Sequence, residues 1–268
     1  MRKIAIYCVN YKSYSELYKF LDSVKTSSLN ASGKADIHVF VADNTDEGFE
    51  NISYAAEGFS LRIFDYHSNK GYFGAIHEMM KTIDPSAYDF AIISNVDICL
   101  DDNTLSLLSE LPVKPNTGWI APQIYSVLEK RDRNPQVKSR YPLYKLQILR
   151  IMFRFHWLHY FYTKTFYKRK KYIASEPGEI YAGHGSFIVL TRNFFRLNGI
   201  IDYPVFLYGE ELYLAECCRE KGLCVDYVPS LRVFDKEHCS TGELKRSSYY
   251  KFNYKALTYI IEKFYKAK

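Results

Sequence analysis

Glycine is missing where a dinucleotide-binding strand–turn–helix needs it most. The first apolar run, residues 4–9, passes into Asn10-Tyr11-Lys12-Ser13. A nicotinamide- or flavin-binding fingerprint requires a glycine-rich turn there, so that backbone can approach a pyrophosphate. The Walker phosphate loop is also lacking, and so is the GxSxG elbow on which an esterase-type triad is built. No CxxC pair occurs. Cys8, Cys99, Cys217, Cys218, Cys224 and Cys239 follow no zinc or disulfide spacing and lie mostly in apolar runs, where cysteine behaves as a small hydrophobe. They read as reduced thiols of a cytosolic protein. No apolar run is long enough to span a bilayer, and the N-terminal apolar run is too brief for a secretory leader. Internal repeats and low-complexity tracts are lacking too. These absences exclude Rossmann dehydrogenases, P-loop nucleotidases, zinc modules and integral membrane proteins.

What is present fits a globular α/β chain. The 268 residues suffice for one large domain or two small ones. A 47% hydrophobic and 25% charged composition is ordinary, but 25 Tyr and 18 Phe raise the aromatic share to 17%. The net charge of +6 conceals an asymmetry. Residues 130–171 hold 13 Lys/Arg and a single acid, Asp132, which leaves 23 basic and 29 acidic residues elsewhere. One segment makes an otherwise mildly acidic chain basic, a fact about partners rather than fold.

Strand–helix alternation organises the first half. Residues 4–9, 37–42 and 61–66 read as buried strands. Residues 13–27 read as a helix, with Leu17, Phe20, Leu21 and Val24 at three- and four-residue spacing. Ser13 is the expected N-cap, with Glu16 as its capping-box partner. A helix over 75–83 precedes the apolar run Phe90-Ala91-Ile92-Ile93-Ser94-Asn95-Val96-Asp97, and 102–111 reads as another helix. Such alternation implies right-handed βαβ units and a mostly parallel sheet. Successive strands end in polar residues, at Asn10, Asp43, Asn69 and Asn95/Asp97. Ligands of open α/β sheets sit beyond the carboxyl ends of the strands. Side chains two apart on extended chain also point the same way. Asn95 and Asp97 therefore suit a hard divalent cation carrying phosphate oxygens. By themselves they suit an ordinary strand-closing turn better, because such turns are frequent.

Past a strand over 119–125 the pattern breaks. Residues 146–158 form a basic amphipathic helix, with Arg150 and Arg154 one turn apart and Leu149, Met152, Phe153 and Trp157 as its apolar face. Residues 141–172 as a whole suit an anionic membrane surface. A helix packed on the domain with a solvated basic rim would have the same pattern. Nucleic acid is not expected as a partner, because no recognition motif accompanies the charge. Alternation resumes at Gly178, with strands over 187–190, 223–228 and 231–234 and helices over 192–195 and 210–221. The tail, 249–268, is a helix with Phe252, Leu257, Ile260, Ile261 and Phe264 as its apolar positions.

Seven short motifs carry a resemblance. They are Val9-Asn10-Tyr11, Val41-Ala42-Asp43-Asn44-Thr45-Asp46, Asn69-Lys70-Gly71-Tyr72-Phe73-Gly74, Asn95-Val96-Asp97, Ala182-Gly183, Phe206-Leu207-Tyr208-Gly209-Glu210-Glu211 and His238. In this order the chain resembles the family-2 inverting glycosyltransferases of the glycosyltransferase-A fold, in the subgroup of rhamnosyl-, galactosyl- and galactofuranosyltransferases. The resemblance implies a Rossmann-like α/β catalytic domain over residues 1–240, with a basic, aromatic helical insertion at 130–175 and a C-terminal helical tail at 241–268. It implies sugar transfer from a nucleotide-sugar to a glycan or lipid-linked acceptor in cell-surface polysaccharide synthesis, at the inner face of the plasma membrane. Val9, Asn10 and Asp43 would contact base and ribose, and Asn69, Gly71 and Asn95 would complete that wall. Asp97 would reach a Mg²⁺ or Mn²⁺ ion on the diphosphate, with His238 as a second ligand or a diphosphate contact. Glu211 aligns with the family's catalytic base and Glu210 with its acidic neighbour. Asn95 replaces the first carboxylate of the family's DxD, which weakens metal affinity, and His77 stands where relatives commonly have Asn. Gly183 is expected to permit close backbone approach on the acceptor side.

The chemistry agrees with that allocation. A glycosyl transition state resembles an oxocarbenium ion, and the departing diphosphate gathers negative charge that a metal can stabilise. The acceptor hydroxyl loses a proton as it attacks the opposite face, which calls for a positioned carboxylate. Adjacent acids at a helix start repel each other and favour a base-like pKa, partly opposed by the helix N-terminus. Two rivals remain: a sugar nucleotidyltransferase, which needs a glycine-rich basic first loop, and a non-enzymatic basic protein binding membrane or nucleic acid.

Overall fold

The computed structural model describes residues 1–155, 157, 158, 164, 175–236 and 246–266. The first half alternates as its apolar runs require. Strand β1 (Arg2–Asn10) leads to helix α1 (Tyr14–Asn30), then β2 (Ala35–Asp43), β3 (Ser60–Asp65), α2 (Tyr72–Thr82) and β4 (Phe90–Asn95). After these come β5 (Ile98–Leu100), α3 (Thr104–Glu110), β6 (Thr117–Ser126), β7 (Arg131–Asp132) and α4 (Leu143–Arg154). The last part holds β8 (Gly178–Ile180), β9 (Phe187–Thr191), α5 (Arg192–Asn198), α6 (Glu210–Glu220), β10 (Cys224–Asp235) and α7 (Arg246–Phe264).

One sheet takes the order β3-β2-β1-β4-β9-β6-β10-β5, with β7 beside β6 and β8 beside β10. The long ladders β2–β3, β1–β2, β1–β4 and β6–β10 are parallel, whereas the ladders made by β5, β7, β8 and β9 are short and antiparallel. The central strands are apolar on both faces because helices cover both. Ala91 and Ile93 of β4 join Ala5 and Tyr7 of β1 beneath α2, α5, α6 and α7. Phe90 and Ile92 join Ile4, Ile6 and Cys8 beneath α1 and α3. Each such large side chain contributes about 1.5–3 kcal/mol on burial. This is the three-layer α/β arrangement that the alternation implies.

Four local expectations change. Ser13 precedes α1 but makes no cap, because its hydroxyl donates to the Tyr11 carbonyl at 3.1 Å, and Glu16 pairs with Lys19 instead. The two strands expected over 223–234 are one strand, β10, interrupted by a bulge between Val228 and Arg232. Pro229 lies within that bulge, where its missing N–H costs no ladder bond. On α4, Leu149, Met152 and Phe153 turn inward as expected, but Trp157 is exposed. The helix ends at Arg154, so its phase does not extend that far. Finally, α7 is no appendage, since Ala256, Leu257, Ile260, Ile261 and Phe264 lie in the main core. Among the described residues, no helix is long and apolar enough to cross a membrane.

Candidate active site

Parallel register aligns the strand ends on one rim. Asn10 stands opposite Asp43, and Val9 opposite Asn95. Asn10 and Asp43 are sealed from solvent. The Asn10 amide donates to Asp43 Oδ1 at 3.1 Å, the Thr45 N–H donates to the same oxygen, and the Tyr14 hydroxyl donates to Oδ2 at 2.7 Å. Both residues thus brace the floor, whereas direct base and ribose contact was the expectation. The residue on the wall is Asn44. Its Nδ2 donates to the Gly71 carbonyl at 3.0 Å, and its Oδ1 is buried without a hydrogen-bond partner.

The turn before α2 forms the next piece. Asn69 Oδ1 accepts from the Gly71 N–H at 3.0 Å, an Asx-turn of the kind short polar side chains close. Gly71 has φ +76, and a Cβ there would run into the Phe206 carbonyl oxygen. Glycine is required on both counts. The contact seats the turn against the loop that leads into α6.

Beyond β4, Asn95 donates its N–H to the Ser186 carbonyl at 2.9 Å, and the Asp97 carbonyl accepts from Lys236 N. Ile98 pairs with Asp235, so the ends of β4 and β10 bring the Asp97 and Asp235 carboxylates to one place. Arg133, from the short β7–α4 connection, sets its Nη1 3.4 Å from Asp235 Oδ2 and 3.4 Å from His184 Nε2.

Glu210 and Glu211 open α6 behind Gly209. The Gly185 N–H donates to Glu211 Oε1 at 3.2 Å, and a Cβ on Gly185 would lie 2.9 Å from that oxygen. The glycine that lies directly against Glu211 is therefore Gly185. A Cβ on Gly183 would meet Trp119 and Ala121 in the core. Burial raises the proton affinity of both glutamates. On Glu210 the neighbouring Glu211 charge adds to burial, and its pKa is pushed up to about 8. On Glu211 the Gly185 N–H opposes the burial effect by favouring the anion. The two carboxyls therefore titrate as a pair whose proton affinity lies above the ordinary carboxylate range. The Tyr72 phenol is pushed far up, chiefly by burial and then by the charges of Glu210, Asp97 and Glu211.

One cavity of about 530 Å³ gathers the site, with Asn10, Asp43 and Gly183 behind its lining. Val9, Asn69, Gly71, Asn95, Asp97, Glu210 and Glu211 line it. His238 lies outside the described residues.

No protein-family model matches the chain, and no curated protein matches it in sequence. Solved structures do match in shape. GalNAc-T7 with UDP, GalNAc and Mn²⁺ aligns at a TM-score of 0.58 and 13% identity, over 98% of this chain and 48% of that one. TarS 1–349 of S. aureus with UDP-GlcNAc aligns at 0.60 and 9% identity, over 98% of this chain and 67% of that one. The chain therefore spans about half the length of the GalNAc-T7 chain and two thirds of the TarS chain. This is the glycosyltransferase-A fold.

The glycosyltransferase-A sheet also brings in residues the sequence reading passed over. Asp235 carried a usable signal, since it ends a strand just as Asp43 and Asp97 do. His184 sits beside a recognised motif. Asn44 lies inside a recognised motif, whereas Arg133, Tyr249 and Asn253 line the cavity but carry no local mark, because chain crossings put them there.

Proposed function

We propose that the chain is an inverting glycosyltransferase, moving a sugar from a nucleotide-sugar to a hydroxyl of a glycan or lipid-linked glycan in cell-surface polysaccharide synthesis. One observation carries the reading: a single cavity joins the strand-end donors Asn95 and Asp97 to the buried Glu210 and half-buried Glu211. The UDP and UDP-GlcNAc held by the two fold relatives support a nucleotide-sugar donor. In the reaction the acceptor oxygen attacks the anomeric carbon from the face opposite the diphosphate. The bond to the diphosphate oxygen breaks with its electron pair, and the acceptor proton passes to Glu211. Glu210, buried beside it, helps hold the proton affinity of the pair above the ordinary carboxylate range. Val9, Asn44, Asn69 and Gly71 form the nucleoside wall, braced from below by Asn10 and Asp43. Phe206, Tyr208 and Tyr249 offer ring faces to an acceptor sugar.

A divalent cation fits the donor set. No three His, Cys, Asp or Glu side chains among the described residues converge on a self-sufficient metal cage. A nucleotide-bound Mg²⁺ or Mn²⁺ needs only one or two protein carboxylates beside phosphate oxygens and water. Asp97 and Asp235 supply those, with Asn95 as a neutral oxygen, and His238 is the further ligand the family resemblance suggests. When bound, the ion would offset the charge of the leaving diphosphate.

Incubation with UDP-, dTDP- and GDP-sugars tests the proposal. Expected are a rise in melting temperature with one donor class, larger with Mn²⁺, and slow donor hydrolysis that Glu211→Gln removes. No stabilisation by any donor, with or without metal, would sink it.

A further inference from the structure

The basic segment holds a second apolar face in water. Helix α4 buries Leu146 and Met152 and sets Phe153 5.8 Å, ring to ring, from Tyr249 of α7. Its other side presents Tyr144, Ile148, Ile151 and Phe155 at i, i+4, i+7 and i+11, one stripe between 48% and 66% exposed. Trp157, just past the helix end, is 68% exposed. Scattered exposed apolar residues need no explanation, but a contiguous stripe marks a contact surface.

Charge identifies what covers it. Lys145 and Arg154 flank the stripe and are exposed. No acidic residue lies between Asp132 and Glu176, a stretch with 11 Lys/Arg. A second copy of the chain would bring like charge against like. A nucleic acid would satisfy the cations but leave the aliphatic stripe uncovered. An anionic bilayer surface meets both requirements, apolar side chains entering the acyl boundary while Lys and Arg meet lipid phosphates. We propose that the outer face of α4 seats the protein on an anionic lipid surface. The contact is interfacial, since α4 is a 12-residue helix and too short to span. The Phe153–Tyr249 contact links this face to the cavity wall, so a docked protein holds its acceptor side near the headgroups. The inference stands apart from the transferase reading.

Trp157 is a built-in reporter, because the chain's other tryptophan, Trp119, is fully buried. Phosphatidylglycerol vesicles should blue-shift its emission and sediment the full chain at least ten-fold better than pure phosphatidylcholine vesicles. Ile148→Glu/Ile151→Glu should lower that binding at least ten-fold with an unchanged melting temperature. Lys145→Glu/Arg154→Glu should weaken binding in a salt-sensitive manner. Three results would overturn the proposal: no blue shift on anionic vesicles, equal binding by the Ile148/Ile151 variant, or a dimer in light scattering that this variant dissolves. If that variant melts early, the Trp157 shift of the unaltered chain still decides. Donor binding by the variants, followed by thermal shift, reports on the transferase reading separately.

Discussion

Glu216 lies about one and a half turns along α6 from Glu210 and Glu211 and is fully buried, yet its carboxyl sits below the ordinary range while theirs sit above it. Burial pushes all three upward. At Glu216 that push is outweighed by Arg140, bonded through Nε at 2.6 Å and Nη2 at 3.1 Å, by the Tyr181 hydroxyl at 2.6 Å and by Arg219 Nε at 2.8 Å. At the helix start no arginine among the described residues pairs with either glutamate, and backbone N–H groups compensate only in part. A carboxylate with a full set of partners holds structure together. Two adjacent carboxyls with no arginine bonded to them retain proton affinity, the property a base needs.

Breaking the unpaired end has the largest expected effect. Glu211→Gln should cut transfer on the order of 10³-fold, as expected for removal of a general base, while thermal shift shows donor binding intact. If the variant turns over normally, the proton goes elsewhere, with Glu210 the first substitute. Breaking the paired end should act on stability. Arg140→Ala leaves a buried charge short of a partner and should cost about 2–3 kcal/mol in urea unfolding, less than a sealed pair because Arg140 is partly exposed. A loss under 0.5 kcal/mol would mean that Arg219 and Tyr181 suffice.

Smaller effects sharpen the contrast. Gly185→Ala presses a methyl group against Glu211 Oε1 and should lower kcat by about ten-fold with little change in melting temperature, the signature of a misplaced base. An unchanged kcat would show that the carboxylate yields freely. The smallest effect concerns pH. Glu210 has a raised folded-state pKa, so its contribution to stability is complete below an unfolded value near 4.5 and is lost as pH rises through about 8. Glu210→Gln should flatten that decline and be more stable than the parent at pH 8 by about 1–2 kcal/mol. Glu216 has the opposite sign, its contribution fading as pH falls below the ordinary carboxylate range. Melting curves from pH 4 to 9 separate the two.

Legibility followed the range of the forces. Strand runs such as 90–95, the strand-end donors Asn95 and Asp97, the Asn69–Gly71 turn and the Glu210–Glu211 helix start all showed in sequence, because each is specified by neighbours within a few residues. The cap at Ser13 failed through a local competition, its hydroxyl preferring the Tyr11 carbonyl. Of the partners of Glu216, Arg219 is a local i,i+3 neighbour, but Arg140 and Tyr181 could not be read, being 76 and 35 residues away.

By itself the sequence determined the alternating α/β order, the polar strand ends and the basic segment without acids, since periodicity and composition act along the chain. Only the tertiary structure decided that the Glu210–Glu211 pair has raised proton affinity while Glu216 does not, that Asp43 braces the floor while Asn44 faces the cleft, and which side of α4 stays bare. Those outcomes depend on desolvation and on hydrogen bonds between segments far apart in the chain, and neither exists until the sheet has brought those segments together.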